Sequence, residues 1–89
     1  GRLVYRFHAR DVHLVMGPST RGSSVRFRVL LDRHPPGSAH GGDTDEQGYG
    51  TVNEQRLYQL LRQPGPIGAR LFEIEFLEPG VEAFAFTFG

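Results

Sequence analysis

The sequence contains no cysteine, and this absence excludes every function that needs a thiol. The chain can form no disulfide, no Cys-x-x-Cys redox pair and no thiolate metal site. Tryptophan is also missing, which weakens an interpretation as a sugar-binding protein, because its large aromatic face is well suited to stacking.

An excess of charge of one sign and long apolar runs are absent too. Ten arginines are balanced by ten acidic residues, so the formal net charge is zero. Nucleic-acid-binding domains usually carry a basic surplus, and we therefore predict no nucleic-acid partner. No apolar run approaches the roughly 18–20 residues of a membrane-spanning helix, so no span is predicted.

The length of 89 residues predicts a single domain over 1–89 with one modest core. The chain starts without methionine and passes directly into a strand-like run. We therefore interpret it as a piece of a longer polypeptide.

Alternation of apolar and polar residues with a period of two dominates the sequence. Clusters of glycine, proline and serine separate the alternating runs, which are clearest at 3–7, 12–16, 25–31, 72–76 and 82–88. The segment 56–62 also fits a helical stripe, but its surroundings favour a strand. About seven short strands at this spacing predict an all-β antiparallel sandwich or barrel.

The last two runs, 72–76 and 82–88, flank a turn at Pro79-Gly80, so we predict a hairpin there. In 82–88, phenylalanines alternate with small residues. This pattern predicts a strand in the middle of a sheet, packed on both faces, with Phe86 in the core.

The segment 43–54 resembles a calcium loop, with Asp43 and Asp45 at positions 1 and 3 and Glu54 at position 12. Position 5 is a glutamine, and no helix pattern precedes the loop. We therefore prefer a polar hairpin that turns at Gln47-Gly48. Asp43, Asp45 and Glu54 are the ligands expected if calcium binds; otherwise we predict no metal site and no cofactor.

No catalytic constellation is present, so we predict that the chain is not an enzyme. The serines and threonines of 19–24 lie outside any nucleophile-elbow pattern. Glu73 and Glu75 share one strand face about 6–7 Å apart, close to the carboxylate spacing of retaining glycosidases. Acids two positions apart on an exposed strand face are common, and the hydrolase interpretation is the weakest one.

Arg26 and Arg28 lie on one face of the strand predicted at 25–31. With Tyr58 or Tyr49 nearby, they could bind a polar ligand such as a sugar, the ring stacking and the guanidinium groups donating to hydroxyls. The alternative is a solvated face that forms salt bridges with the glutamates of 73–75.

Three stretches carry a resemblance to a known family: Tyr5–Pro18, Arg56–Arg62 and Gly80–Gly89. They resemble the C-terminal domain that follows a thioredoxin-like domain in DipZ-type thiol–disulfide interchange proteins. The resemblance extends over essentially the whole chain. It implies a jelly-roll sandwich similar to carbohydrate-binding modules, appended to an extracytoplasmic thioredoxin-like domain whose Cys-x-x-Cys pair carries the redox chemistry.

The resemblance also implies partners. The first is the thioredoxin-like domain of the same polypeptide, and a glycan, a cell-envelope component or a client protein could be a second. The family's domain begins before Gly1, so one or more N-terminal strands are expected to be missing from this chain. An edge exposed in this way would favour a homodimer or strand swapping. The leading expectation is an accessory module that binds such a ligand; the alternative is a structural domain that packs on the thioredoxin-like domain.

Overall fold

A computed structural model describes all residues from 1 to 89 and shows a chain built almost entirely of β-strands. The seven strands are β1 Arg2–Phe7, β2 Asp11–Pro18, β3 Val25–Leu31, β4 Tyr49–Val52, β5 Arg56–Arg62, β6 Arg70–Phe76 and β7 Val81–Phe88. A single 3₁₀ turn at Gly37–Ala39 is the only helical element. No helix is long and apolar enough to cross a membrane.

The strands form two antiparallel sheets that pack face to face. One sheet has four strands in the order β1-β6-β3-β4, and the other has three in the order β5-β2-β7. The predicted all-β sandwich is therefore confirmed. The segment 56–62 is a strand, as its surroundings favoured.

The core lies between the sheets and follows the alternation of the sequence. In β3, for example, Val25, Phe27, Val29 and Leu31 are buried, while Arg26 is exposed on the opposite face. Fourteen buried residues form one cluster: Phe7, Val12, Leu14, Met16, Phe27, Val29, Leu31, Ala39, Val52, Tyr58, Leu60, Leu61, Phe72 and Ile74.

The two long edges of the sandwich differ. At the edge formed by β4 and β5, the segment 40–45 lies along both strands. The backbone N–H groups of Gly41 and Asp43 donate to Leu60 and Gln59 of β5, and that of Asp45 donates to Tyr49 of β4. We call this the closed edge. At the other edge, β1 and β7 are the last strands of their sheets, and each pairs with only one strand. We call this the open edge.

The predicted hairpin of the last two runs is wrong. The strands β6 and β7 belong to different sheets, so the turn at Pro79-Gly80 crosses from one sheet to the other. Gly80 has φ +108°, a backbone conformation that glycine adopts readily and other residues do not. β7 is an edge strand, not a central one, and Phe86 is only partly buried.

Candidate functional site

The outer face of the four-stranded sheet places Arg26 and Arg28 beside Tyr49. Arg28 is opposite Tyr49 in the β3–β4 register. The guanidinium carbons of Arg26 and Arg28 lie 5.3 and 5.0 Å from the centre of the Tyr49 ring. We call these three side chains the Arg–Tyr surface. Neither arginine forms an ion pair with Glu73 or Glu75, which the alternative interpretation required.

Tyr58 is not part of this surface. Its side chain is fully buried in the core, and Arg56 covers its ring at 3.9 Å. Its hydroxyl donates to the backbone oxygen of Glu54 and accepts from the backbone N–H groups of Asn53 and Glu54. The ligand-binding role suggested for Tyr58 therefore has no support in the geometry, and Tyr49 occupies the position next to the arginines.

Glu73 and Glu75 lie on the same outer face but in different environments. Glu75 is exposed, whereas Glu73 is only 2% exposed because β1 and β3 flank it on both sides. Glu73 Oε2 lies 3.4 Å from a terminal nitrogen of Arg2, while Oε1 is buried without a hydrogen-bond partner. A small pocket of about 50 Å³ opens here, lined by Arg2, Arg28, Leu30, Glu73 and Glu75. We call it the Glu73 pocket.

The three carboxylates considered as calcium ligands all have partners within the chain. Asp43 accepts two hydrogen bonds from Arg56, at 2.8 and 3.2 Å, and Glu54 also lies beside that guanidinium. Asp45 caps a turn by accepting from the backbone N–H groups of Gln47 and Tyr49. No group of three or more histidine, cysteine or acidic side chains is arranged to hold a metal ion.

The predicted polar hairpin is wrong, because no strand precedes the loop, and the chain turns at Glu46-Gln47, one residue before the expected position. Gly48 has φ +92° and donates its N–H to the oxygen of Asp45. A Cβ at this position would lie 2.0 Å from the backbone oxygen of Val29. Glycine is therefore required here both by the conformation and by the close approach of the loop to β3.

The pKa values of two carboxyl groups, those of Asp43 and Asp32, are lowered in the folded protein. Hydrogen bonds from Arg56, and then the backbone N–H of Gln59, hold the pKa of Asp43 below its usual value of 3.8. Hydrogen bonds from the Leu71 N–H and the Arg70 side chain lower the pKa of Asp32. Both shifts stabilise the ionised form in the folded protein. Because Asp43 and Arg56 connect the segment 40–45 to β5, this ion pair belongs to the closed edge.

The open edge carries a groove of about 360 Å³ between β1 and β7. All seven residues that line it are hydrophobic: Leu3, Tyr5, Leu14, Ala83, Phe84, Ala85 and Phe86. The Tyr5 and Phe86 rings meet across it at 4.6 Å between centroids. Phe84 is 54% exposed, and Phe88 beyond the groove is 46% exposed. We call this the β1/β7 groove.

A bulge in β7 shapes this groove. Val15 of β2 pairs with Ala85, and Met16 pairs with Ala83, so Phe84 is an extra residue in the edge strand. A bulge interrupts the regular backbone pattern that a further strand would need for continuous pairing. The groove is therefore better suited to packing of side chains than to extension of the sheet.

A family model for the thioredoxin-like C-terminal domain matches residues 1–89, the full length of the chain. The chain belongs to this family. None of the curated proteins compared with it matches. Membership implies a thioredoxin-like domain in the same polypeptide, and it makes the chain an accessory module of a thioredoxin-like protein.

Seen as a thioredoxin-like C-terminal domain, the molecule has two features that sequence reasoning missed. The Glu73 pocket was missed because both glutamates were expected on an exposed face. The β1/β7 groove was missed because the apolar side chains of 82–88 were assigned to a central strand. The half-exposure of Phe84 and Phe88 is visible only in the structure, and the alternation of the sequence carries no signal for it.

Proposed function

We propose that this chain is a non-catalytic accessory module of a thiol–disulfide interchange protein, and that the β1/β7 groove packs on the thioredoxin-like domain of the same polypeptide. The observation that carries the proposal is a groove lined only by hydrophobic residues. Having no cysteine, the chain leaves the redox step to the other domain. An extracytoplasmic location is part of the proposal and rests on the resemblance to DipZ-type proteins.

Burial of the open edge supplies the driving force. Phe84 and Phe88 expose about half of their surfaces, and complete burial of a phenylalanine stabilises by about 1.5–3 kcal/mol. Contiguous apolar surface of this kind is typical of interaction sites in soluble domains. No charged side chain lines the groove, so a partner surface with apolar side chains can cover it without leaving a charge unpaired.

The covalent connection favours a domain of the same polypeptide over a separate partner. Leu3, near the start of β1, lines the groove. A domain joined to this strand by a short linker is held at an effective concentration of the order of millimolar. A contact that is weak between separate molecules is then sufficient for docking. The bulge at Phe84 disfavours a homodimer formed by pairing of two β7 strands.

The test compares two variants of the full polypeptide by small-angle X-ray scattering. Phe84→Asp places a charge in the groove and should increase the radius of gyration, because the two domains separate. Leu57→Asp is the matched control: Leu57 is exposed on β5 at the other edge, to 46%. We expect it to leave the radius unchanged. Equal scattering of both variants and wild type would refute docking through the groove, and a mass twice that expected would indicate a homodimer instead.

Binding of a carbohydrate or another cell-envelope ligand is the second candidate function. It is supported by the Arg–Tyr surface, where an aromatic ring lies beside two guanidinium groups. A glycan array and a cell-wall pull-down with the full polypeptide, repeated with Tyr49→Ala and Arg28→Ala, would test it. Specific binding lost in both variants supports this candidate, and absence of binding by folded wild-type protein rejects it.

A further inference from the structure

The Glu73 pocket contains a carboxylate oxygen that the protein itself does not satisfy. The Glu73 side chain is only 3% exposed, so water does not reach Oε1 freely. Within the protein, Oε1 has no hydrogen-bond partner. Leaving a buried acceptor without a donor destabilises the folded protein, and more so when the acceptor is charged. A donor from outside the chain would remove this destabilisation.

The charges around the pocket indicate what kind of donor fits. Two arginines and two glutamates line it, so the pocket is neutral as a whole. An ammonium group would satisfy Glu73 but would meet Arg2 and Arg28 at the same time. A hydroxyl group can donate to Glu73 Oε1 and accept from an arginine. Neutral ligands with several hydroxyl groups therefore match the pocket better than ions of either sign.

Arg28 connects the pocket to the Arg–Tyr surface. Within the Arg28 side chain, Nε alone donates a hydrogen bond to the protein, and its acceptor is the backbone oxygen of Gln47. The two terminal nitrogens of the guanidinium group therefore remain available to a ligand. The pocket volume of about 50 Å³ holds roughly three or four water-sized groups. This is enough for two adjacent hydroxyls, while the sugar ring would remain outside, on the side towards Tyr49.

We propose that the Glu73 pocket binds two adjacent hydroxyl groups of a neutral carbohydrate, with Glu73 as acceptor and Arg2 and Arg28 as donors. This inference rests on the second candidate function and is independent of docking through the β1/β7 groove. It adds to that candidate a specific pocket and a requirement for a ligand without charge.

The experiment is saturation-transfer NMR and calorimetric titration of the full polypeptide with maltotriose, cellotriose and chitotriose. Wild type should bind at least one of these neutral probes. Glu73→Gln should weaken that binding about tenfold, because it replaces a charged acceptor with a neutral amide oxygen, which accepts a weaker hydrogen bond. Leu30→Phe, which fills the pocket without changing the carboxylate, should weaken binding to a similar extent. Glu82→Gln, on β7, is the matched control and should have no effect.

The possible outcomes distinguish failure of the Glu73 pocket proposal from failure of carbohydrate binding as a function. If Tyr49→Ala abolishes binding while Glu73→Gln and Leu30→Phe bind as wild type, carbohydrate binding stands and the pocket proposal is overturned. If wild type binds none of the three probes, the pocket proposal is overturned, while the second candidate function is decided separately by the glycan array and the pull-down. Melting curves of Glu73→Gln and Leu30→Phe should show that both fold, so that lost binding cannot be attributed to lost structure.

Discussion

The closed and open edges of this sandwich differ in how far the chain covers the core between the two sheets. At both edges, the gap between two sheets exposes the side of the core. At the closed edge, the segment 40–45 lies over β4 and β5, and Arg56 connects it to the sheet through Asp43. At the open edge, β1 and β7 are left with a hydrophobic groove and half-exposed phenylalanines.

We interpret the closed edge as a part of the molecule that stabilises the fold, and the open edge as the part that we propose interacts with another domain. Polar groups of the closed edge are satisfied inside the chain: Tyr58, Asp43 and Asp45 all have their partners there. The open edge has apolar area that nothing in the chain covers. A chain of 89 residues has a small core, so leaving this area exposed is a substantial cost that docking to another domain would offset.

The largest difference between the edges should appear on truncation of one aromatic side chain at each. Tyr58→Ala removes a fully buried ring and three hydrogen bonds at the closed edge. We expect a loss of about 3–5 kcal/mol in the free energy of unfolding. Phe88→Ala at the open edge should cost less than about 1.5 kcal/mol in this chain, since nearly half of its surface already meets water. Urea unfolding measures both, and equal losses would contradict the comparison.

A smaller loss of stability should follow when the charge of Asp43, which connects the segment 40–45 to β5 through Arg56, is removed. Asp43→Asn weakens the paired hydrogen bonds to Arg56 and should lower the free energy of unfolding by about 1–3 kcal/mol. Glu82→Gln on β7 serves as control, because Glu82 is exposed and forms no ion pair. An unchanged stability of Asp43→Asn would show that backbone hydrogen bonds alone hold the segment 40–45.

The contribution of Asp43 should also depend on pH. Its pKa is lowered in the folded state, so the unfolded chain binds protons more readily as the pH falls. The stabilisation is therefore fully present above the usual pKa of 3.8 and is lost as the pH falls through the folded-state value. The difference in stability between wild type and Asp43→Asn should stay constant near neutrality and shrink in acid. A difference that grows in acid would contradict this assignment.

The smallest expected effect concerns calcium. Asp43 and Glu54 lie beside Arg56, and Asp45 caps a turn, so calcium would have to displace existing partners. We expect a melting temperature that is unchanged within error at millimolar calcium and after addition of a chelator. A rise with calcium that Asp43→Asn abolishes would restore the calcium-loop interpretation.

Alternation along the chain was sufficient to predict strands but not to assign them to sheets. The run 25–31 was predicted as a strand because its period is a local property. The turn at Pro79-Gly80 has the same sequence whether it joins neighbours within one sheet or crosses between two. The sequence of 82–88 is apolar on both faces, and this pattern does not distinguish a central strand from an edge strand beside a groove.

In the candidate site too, the features set by neighbouring residues were predictable from the sequence, and those set by distant strands were not. Arg26 and Arg28 share a face because they are two residues apart, which the sequence predicts. Tyr49 joins them only through the pairing of β4 with β3, about twenty residues away in the chain. Glu73 alternates like an outward residue, yet β1 and β3 bury it. Partners that come from distant strands cannot be identified from alternation.

The most direct test of the central claim is hydrogen exchange of β7, measured in this chain alone and in the full polypeptide. The strand β5 at the closed edge provides an internal reference in the same molecule. Our account predicts that exchange of the amides of 81–88 slows in the full polypeptide by a larger factor than exchange of the amides of 56–62. Equal exchange of 81–88 in the two proteins would show that the open edge remains uncovered, and would contradict docking of the thioredoxin-like domain in the β1/β7 groove.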